Sequence, residues 1–291
     1  RKIYAEPPEA AAVQADVRSL SGPLPEARGL PFAGRFTGSP RRDYYKFGGA
    51  LLQAGYPEQA LPYLEEMLRR TPDNPKVLLA VGRVHLEGKR LDQAQTVLRR
   101  ALELDPRLPE GWNELGGVEA QAGRWPQALE CYEKALALAP HLPYVLLNAA
   151  RAQEESGHAA EAERLYRQLL AQDPNNGDAA NGLGLFLAKQ GKTDEARKLF
   201  EKAIQVRRDD SSAINNLGVL YMNIGQPNDA IAAFRYGIQV APDDEMLYLN
   251  LARVHVQMGQ RETARSVMRD LLARKPDSAL AQRALKSLEG Q

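Results

Sequence analysis

A single cysteine, Cys131, stands in 291 residues, so the chain closes no disulfide within itself and builds no thiol metal site. Nowhere does an apolar run approach the roughly 20 residues that cross a bilayer, and no membrane span is expected. Neither sign of charge dominates: 38 Lys and Arg against 37 Asp and Glu leave a net +1. That balance gives no bulk attraction for a polyanion and argues against nucleic acid or acidic lipid as a partner. Wholesale disorder is excluded by 44% hydrophobic and 26% charged residues. One cysteine suits the cytoplasm and equally permits the periplasm, so the compartment stays open between them. The chain starts Arg1-Lys2, with no initiator methionine and no signal-like run, and reads as a piece of a longer protein.

Catalytic chemistry is equally sparse. Gly191-Lys192-Thr193 has the ending of a phosphate loop, but Phe186 stands where that loop needs a glycine. None of His85, His141, His158 and His255 has a second histidine or cysteine at ligand spacing. His85 and His255 are expected to be buried and bonded to a neighbouring turn. No nucleophile, base and orienting residue come together. The expectation is a protein that is not an enzyme, with no cofactor and no metal.

What is present is a repeat. Cut every 34 residues from Arg41, the chain gives segments starting at 41, 75, 109, 143, 177, 211 and 245. Position 20 of each is Ala60, Ala94, Ala128, Ala162, Ala196, Ala230 and Ala264. Position 8 holds Gly48, Gly82, Gly116, Ala150, Gly184, Gly218 and Ala252, small residues that let helices approach closely. Position 24 is large and apolar (Leu64, Leu98, Tyr132, Tyr166, Phe200, Phe234, Met268) and is expected to fill the space between successive hairpins. Apolar residues at positions 4, 7, 8 and 11, then at 20, 24, 27 and 28, have helical spacing in both halves. Between the halves stands a turn glycine, with Gly88 one place early in the second repeat. Position 32 is proline except at Arg208, so the second helix of repeat five is expected to run on through Arg207 and Arg208.

Trp112, Leu115, Gly116, Gly123, Ala128, Tyr132, Ala135 and Pro140 make the third repeat resemble the tetratricopeptide repeat (TPR), with Glu119 departing where an aromatic is usual. The resemblance covers 41–278 without an insertion. It implies an all-α, right-handed α-solenoid of seven helix-turn-helix hairpins plus a C-terminal capping helix. Residues 279–291 supply that cap, with Leu280, Ala281, Ala284, Leu285 and Leu288 forming one stripe. Residues 1–40 are rich in proline and glycine and extended, with a short helix at 9–20. Two readings of that segment stay open: a linker, or an element whose Leu24, Leu30, Phe32 and Phe36 dock on the same or a neighbouring molecule and make a homo-oligomer.

The resemblance also implies that the first helix of each repeat lines the concave face, at positions 2, 5, 6, 9, 12 and 13. These positions carry Asn113, Asn148, Asn181, Asn215, Asn216, Asn223 and Asn250, with Arg83, Arg151 and Arg253 among them. A carboxamide offers both a donor and an acceptor, so such a row suits the backbone of an extended peptide whatever its side chains. It is similar to, though sparser than, the asparagine-lined groove of the O-GlcNAc transferase superhelix. The carboxylate clamp of chaperone-binding TPR domains is not matched: Tyr45, Gly49, Ala80, Glu110 and Glu114 stand at its places. A protein–protein interaction scaffold that binds a peptide or partner domain in the groove is the first reading. A substrate-recruiting arm of a larger enzyme, and self-association through the N-terminal segment, are the alternatives.

Overall fold

A computed structural model describes residues 48–49, 51–52 and 56–289. Among these the structure is all helix and has no strand. The chain divides into two compact units, Arg1–His158 and Ala159–Gln291. The first unit holds α1 (Pro57–Arg70), α2 (Pro75–Glu87), α3 (Leu91–Leu104), α4 (Pro109–Gln121), α5 (Trp125–Leu138) and α6 (Pro143–Glu155). The second holds α7 (Ala159–Gln172), α8 (Gly177–Lys189), α9 (Thr193–Val206), α10 (Ser211–Asn223), α11 (Pro227–Val240), α12 (Glu245–Gln257), α13 (Arg261–Arg274) and α14 (Ala279–Glu289). Within the first unit α2 packs on α3 and α4 on α5; within the second α8 packs on α9, α10 on α11 and α12 on α13. Among the described residues these fourteen helices fit about seven repeats, an α-solenoid architecture. The helix expected at 9–20, and both readings of residues 1–40, lie outside the described residues.

Local chemistry fixes where each first helix starts. Proline opens α2, α4 and α6, where its fixed φ suits the first turn and its missing N–H costs nothing. Where that proline is absent a side chain caps instead. Asn176 Oδ1 accepts from Ala179 N at 2.9 Å, Asp210 Oδ1 from Ser212 N at 3.0 Å, and Asp244 Oδ1 from Met246 N at 3.1 Å.

The turn between paired helices needs one left-handed residue. Gly123, Gly191, Gly225 and Gly259 take it at φ between 73° and 75°. In the second repeat Gly88 stays at φ −76°, and Lys89 is forced to φ 58°. A side-chain pair spans the same turn. Arg90 Nε donates to buried His85 Nδ1 at 2.9 Å, and His255 Nδ1 pairs with Gln260 Oε1 at 2.7 Å. Burial, then the Arg90 charge, lower the His85 pKa, which keeps the ring the neutral acceptor this bond requires. Glu119, the departure from the repeat pattern, is buried and takes the same role, accepting from Arg124 and from Gln95 Nε2 at 2.6 Å.

Core packing places the large residue of position 24 against two hairpins. Tyr166 reaches the next one, where a Cβ on Gly182 would stand 2.8 Å from its ring and Phe186 lies 6.1 Å away between ring centroids. The same position also lies against the position-8 glycine of its own hairpin. A Cβ on Gly116 would stand 2.5 Å from Tyr132 Cε1, one on Gly184 2.8 Å from Phe200, and one on Gly218 2.5 Å from Phe234. The glycine is therefore absent bulk into which a ring fits, as close packing demands. Cys131 is buried beside Tyr132, and desolvation pushes its thiol pKa up to about 11, which leaves it unreactive.

One expectation is corrected in repeat five. Its second helix ends at Val206 and does not continue through Arg207 and Arg208. Arg207 Nη2 instead bridges Asp178 Oδ1 and Asp210 Oδ2, both at 2.6 Å, and Tyr236 Oη donates to the Arg208 carbonyl at 3.1 Å. Side-chain bonds hold the turn where proline holds it elsewhere. At the far end α14 closes the second unit, with Ala281 buried and Leu280, Ala284, Leu285 and Leu288 packed on the core. Gln282, Arg283 and Lys286 stay exposed.

Candidate functional site

Positions 2, 5, 6, 9, 12 and 13 of a first helix share one face, because residues three and four apart are neighbours on a helix. On this face the asparagines bond each other in pairs. In the first unit Asn148 Nδ2 donates to Asn113 Oδ1 at 2.9 Å. In the second, Asn216 Nδ2 donates to Asn181 Oδ1 at 2.9 Å and Asn250 Nδ2 to Asn215 Oδ1 at 2.7 Å. Each pair joins position 5 of one first helix to position 6 of the next. Asn113 and Asn250 are buried, the other four half-buried. Leu147 and Gly182 occupy the corresponding places in repeats four and five, where two carboxamides are missing.

The pairing orients every amide. A position-5 residue spends its oxygen and keeps its NH2; a position-6 residue spends one N–H and keeps its oxygen. For Asn250 that oxygen accepts from Arg253 Nη1 at 3.2 Å. The remaining expected residues distribute unevenly. Arg83 pairs with Glu114, Nη2 to Oε1 at 2.8 Å. Glu87 nearby has its pKa raised by burial and by the Glu114 charge, with Arg83 opposing. Arg151 is exposed and makes no ion pair among the described residues, and Asn223 is exposed at the end of α10, outside the paired set.

Apolar side chains on this face were not singled out from sequence. Leu185, Met246 and Val256 are 41%, 45% and 38% exposed, with Val219 and Met222 half-buried beside them. Their signal was legible: large apolar residues at face positions 9, 12 and 2, where a soluble helix ordinarily carries polar ones.

Models of a known family match this repeated helix pair. The profile of the cytochrome c-type biogenesis protein H TPR domain matches residues 91–214, and a general tetratricopeptide repeat profile matches 51–113 and 221–288. The chain belongs to the tetratricopeptide-repeat family. Among solved TPR structures, the Cut9 and Hcn1 hetero-tetramer of the APC/C is 20% identical, with TM-score 0.67. The match covers 84% of this chain and 48% of that one, so the chain spans about half that neighbour's length. A tetratricopeptide repeat protein from Parabacteroides merdae is 16% identical over 87% of this chain and 100% of its own, with TM-score 0.66. PilF of Pseudomonas aeruginosa is 22% identical over 74% and 96%, with TM-score 0.59. These likenesses establish the shared fold. No curated protein matches the sequence. TPR folds serve in general as scaffolds for protein partners, and no helix among the described residues is long and apolar enough to cross a membrane.

Proposed function

We propose that this TPR chain binds a partner polypeptide in extended form along its first-helix face and acts as a scaffold rather than an enzyme. The unspent half of the carboxamide pairs carries this reading. Asn113, Asn181 and Asn215 keep their amide donors, and Asn148 and Asn216 keep their oxygens, without a partner among the described residues. An extended backbone presents an N–H and a C=O at each residue, and oriented carboxamides match both whatever the side chains are. A net charge of +1 favours protein over nucleic acid as the partner.

The orientation of the pairs supplies the test. Changing Asn113, Asn181 and Asn215 together to Asp retains an oxygen for each pair bond and removes the outward donor. A library of random twelve-residue peptides is panned on the wild-type chain, and enriched peptides are titrated by calorimetry. The affinity is expected to fall at least about tenfold in the triple variant, the loss of about 1.4 kcal/mol. Peptides that bind the variant as tightly as the wild type would sink the reading.

A further inference from the structure

Resting on that reading, we infer that the peptide site lies on α8, α10 and α12 of the second unit and takes an uncharged segment with apolar side chains. Two independent features of that face agree. Its two consecutive carboxamide pairs, Asn181 with Asn216 and Asn215 with Asn250, run across three successive first helices. On the same helix faces, at positions 9, 12 and 2, stand Leu185, Val256 and Met246, exposed rather than packed away. Apolar surface left in water on the same face as oriented hydrogen-bonding groups is the composition of a recognition site, in which the amides take the backbone and the apolar patches take alternate side chains.

Charge fixes the class of segment. The charged residues on this face are three: Asp178 is held by Arg207 at 2.6 Å, Arg253 leans on Asn250 at 3.2 Å, and Lys189 stands exposed at position 13, in the last turn of α8. A cationic peptide side chain placed over Leu185 or Val256 would lose its hydration without gaining a partner, and an anionic one would have to draw Lys189 or Arg253 from existing contacts, so either is costly. The corresponding face of the first unit is the reverse. It carries Arg83, Glu87, Glu114, Arg151 and Glu154 at positions 6, 9, 12 and 13. An uncharged segment has no counterpart there. Length follows from geometry: three neighbouring helices packed 8–10 Å apart span roughly 16–20 Å, which an extended chain crosses in about six residues at ~3.3 Å each.

The test uses the full chain and the same peptide library, with the enriched sequences made synthetically, fluorescein-labelled and followed by anisotropy. Uncharged peptides with apolar residues at alternate positions are expected to dominate. Their affinity is expected to fall at least about tenfold in the double variant Leu185→Glu, Val256→Glu, and to hold in Arg151→Ala. Both glutamates replace exposed side chains, and an unchanged thermal melt checks that the fold survives. Charged peptides whose affinity tracks Arg151→Ala would overturn the inference and leave peptide binding standing. So would apolar peptides that ignore Leu185→Glu, Val256→Glu yet respond to the triple Asn→Asp variant. Failure to enrich any peptide, or indifference to both variants, would end both readings.

Discussion

At the scale of single residues, one lysine carries a conformational cost that its neighbours avoid. Lys89 occupies the left-handed turn position at φ 58°, whereas the corresponding residue of five other repeats is glycine. The left-handed region costs a residue with a Cβ about 1–2 kcal/mol. Lys89→Gly is therefore expected to raise stability by about 1 kcal/mol, less whatever the freer unfolded chain takes back. Urea unfolding with an unchanged m-value checks it, and a lower midpoint would show that the Lys89 side chain makes a stabilising contact. The sequence placed a glycine in this turn but put it one residue early. Which of two adjacent residues turns left-handed is set by the 2.8 Å bond from Arg90 N to the His85 carbonyl, a constraint visible only in three dimensions. The asparagines teach a related lesson. Each was legible as a face residue, but the pairing was not proposed, although all three pairs share one separation of 35 residues. That number is one repeat plus one step. It marks the offset by which a first helix presents position 6 to position 5 of its predecessor.

At the scale of the helix pair, the glycine at position 8 and the ring at position 24 form one unit of packing. Gly116→Ala is expected to cost about 1–3 kcal/mol, because a Cβ 2.5 Å from Tyr132 forces the ring or the backbone to shift. Adding Tyr132→Leu, which shortens the opposing side chain, is expected to recover part of that loss. Thermal melts of the two single variants and the double one measure the coupling, and strict additivity would deny the contact. The periodicity fixed both residue types and both helices. It did not say that they touch within one hairpin, because spacing along a helix gives the face and leaves the opposing element undetermined. Repeat five makes the same point at a helix end. A missing proline removes one stop signal, but the Arg207 bridge and the Asp210 cap replace it, and both depend on residues of neighbouring helices.

At the scale of the whole molecule, the face residues separate by chemistry. Charges gather on the first helices of the first unit, and amides and exposed apolar side chains on those of the second. If the occupant of the second face is a foreign polypeptide, the full chain is expected to scatter light as a 32.2 kDa monomer, and removal of residues 1–40 to leave it monomeric. A dimer that becomes a monomer on truncation would make the N-terminal segment itself the occupant, through its apolar Leu24, Leu30, Phe32 and Phe36.

By itself the sequence determined the repeat period, the helical fold class, the capping stripe and the residues that share the first-helix face. The first three follow from local periodicity and from residue types with fixed backbone preferences, and the fourth from the resemblance to the repeat family. Only the tertiary structure decided that the asparagines bond one another, that their amides are thereby oriented, and which residue of the second turn is strained. Those features depend on the register between helices, and register is set by side chains that meet across a gap no local pattern spans.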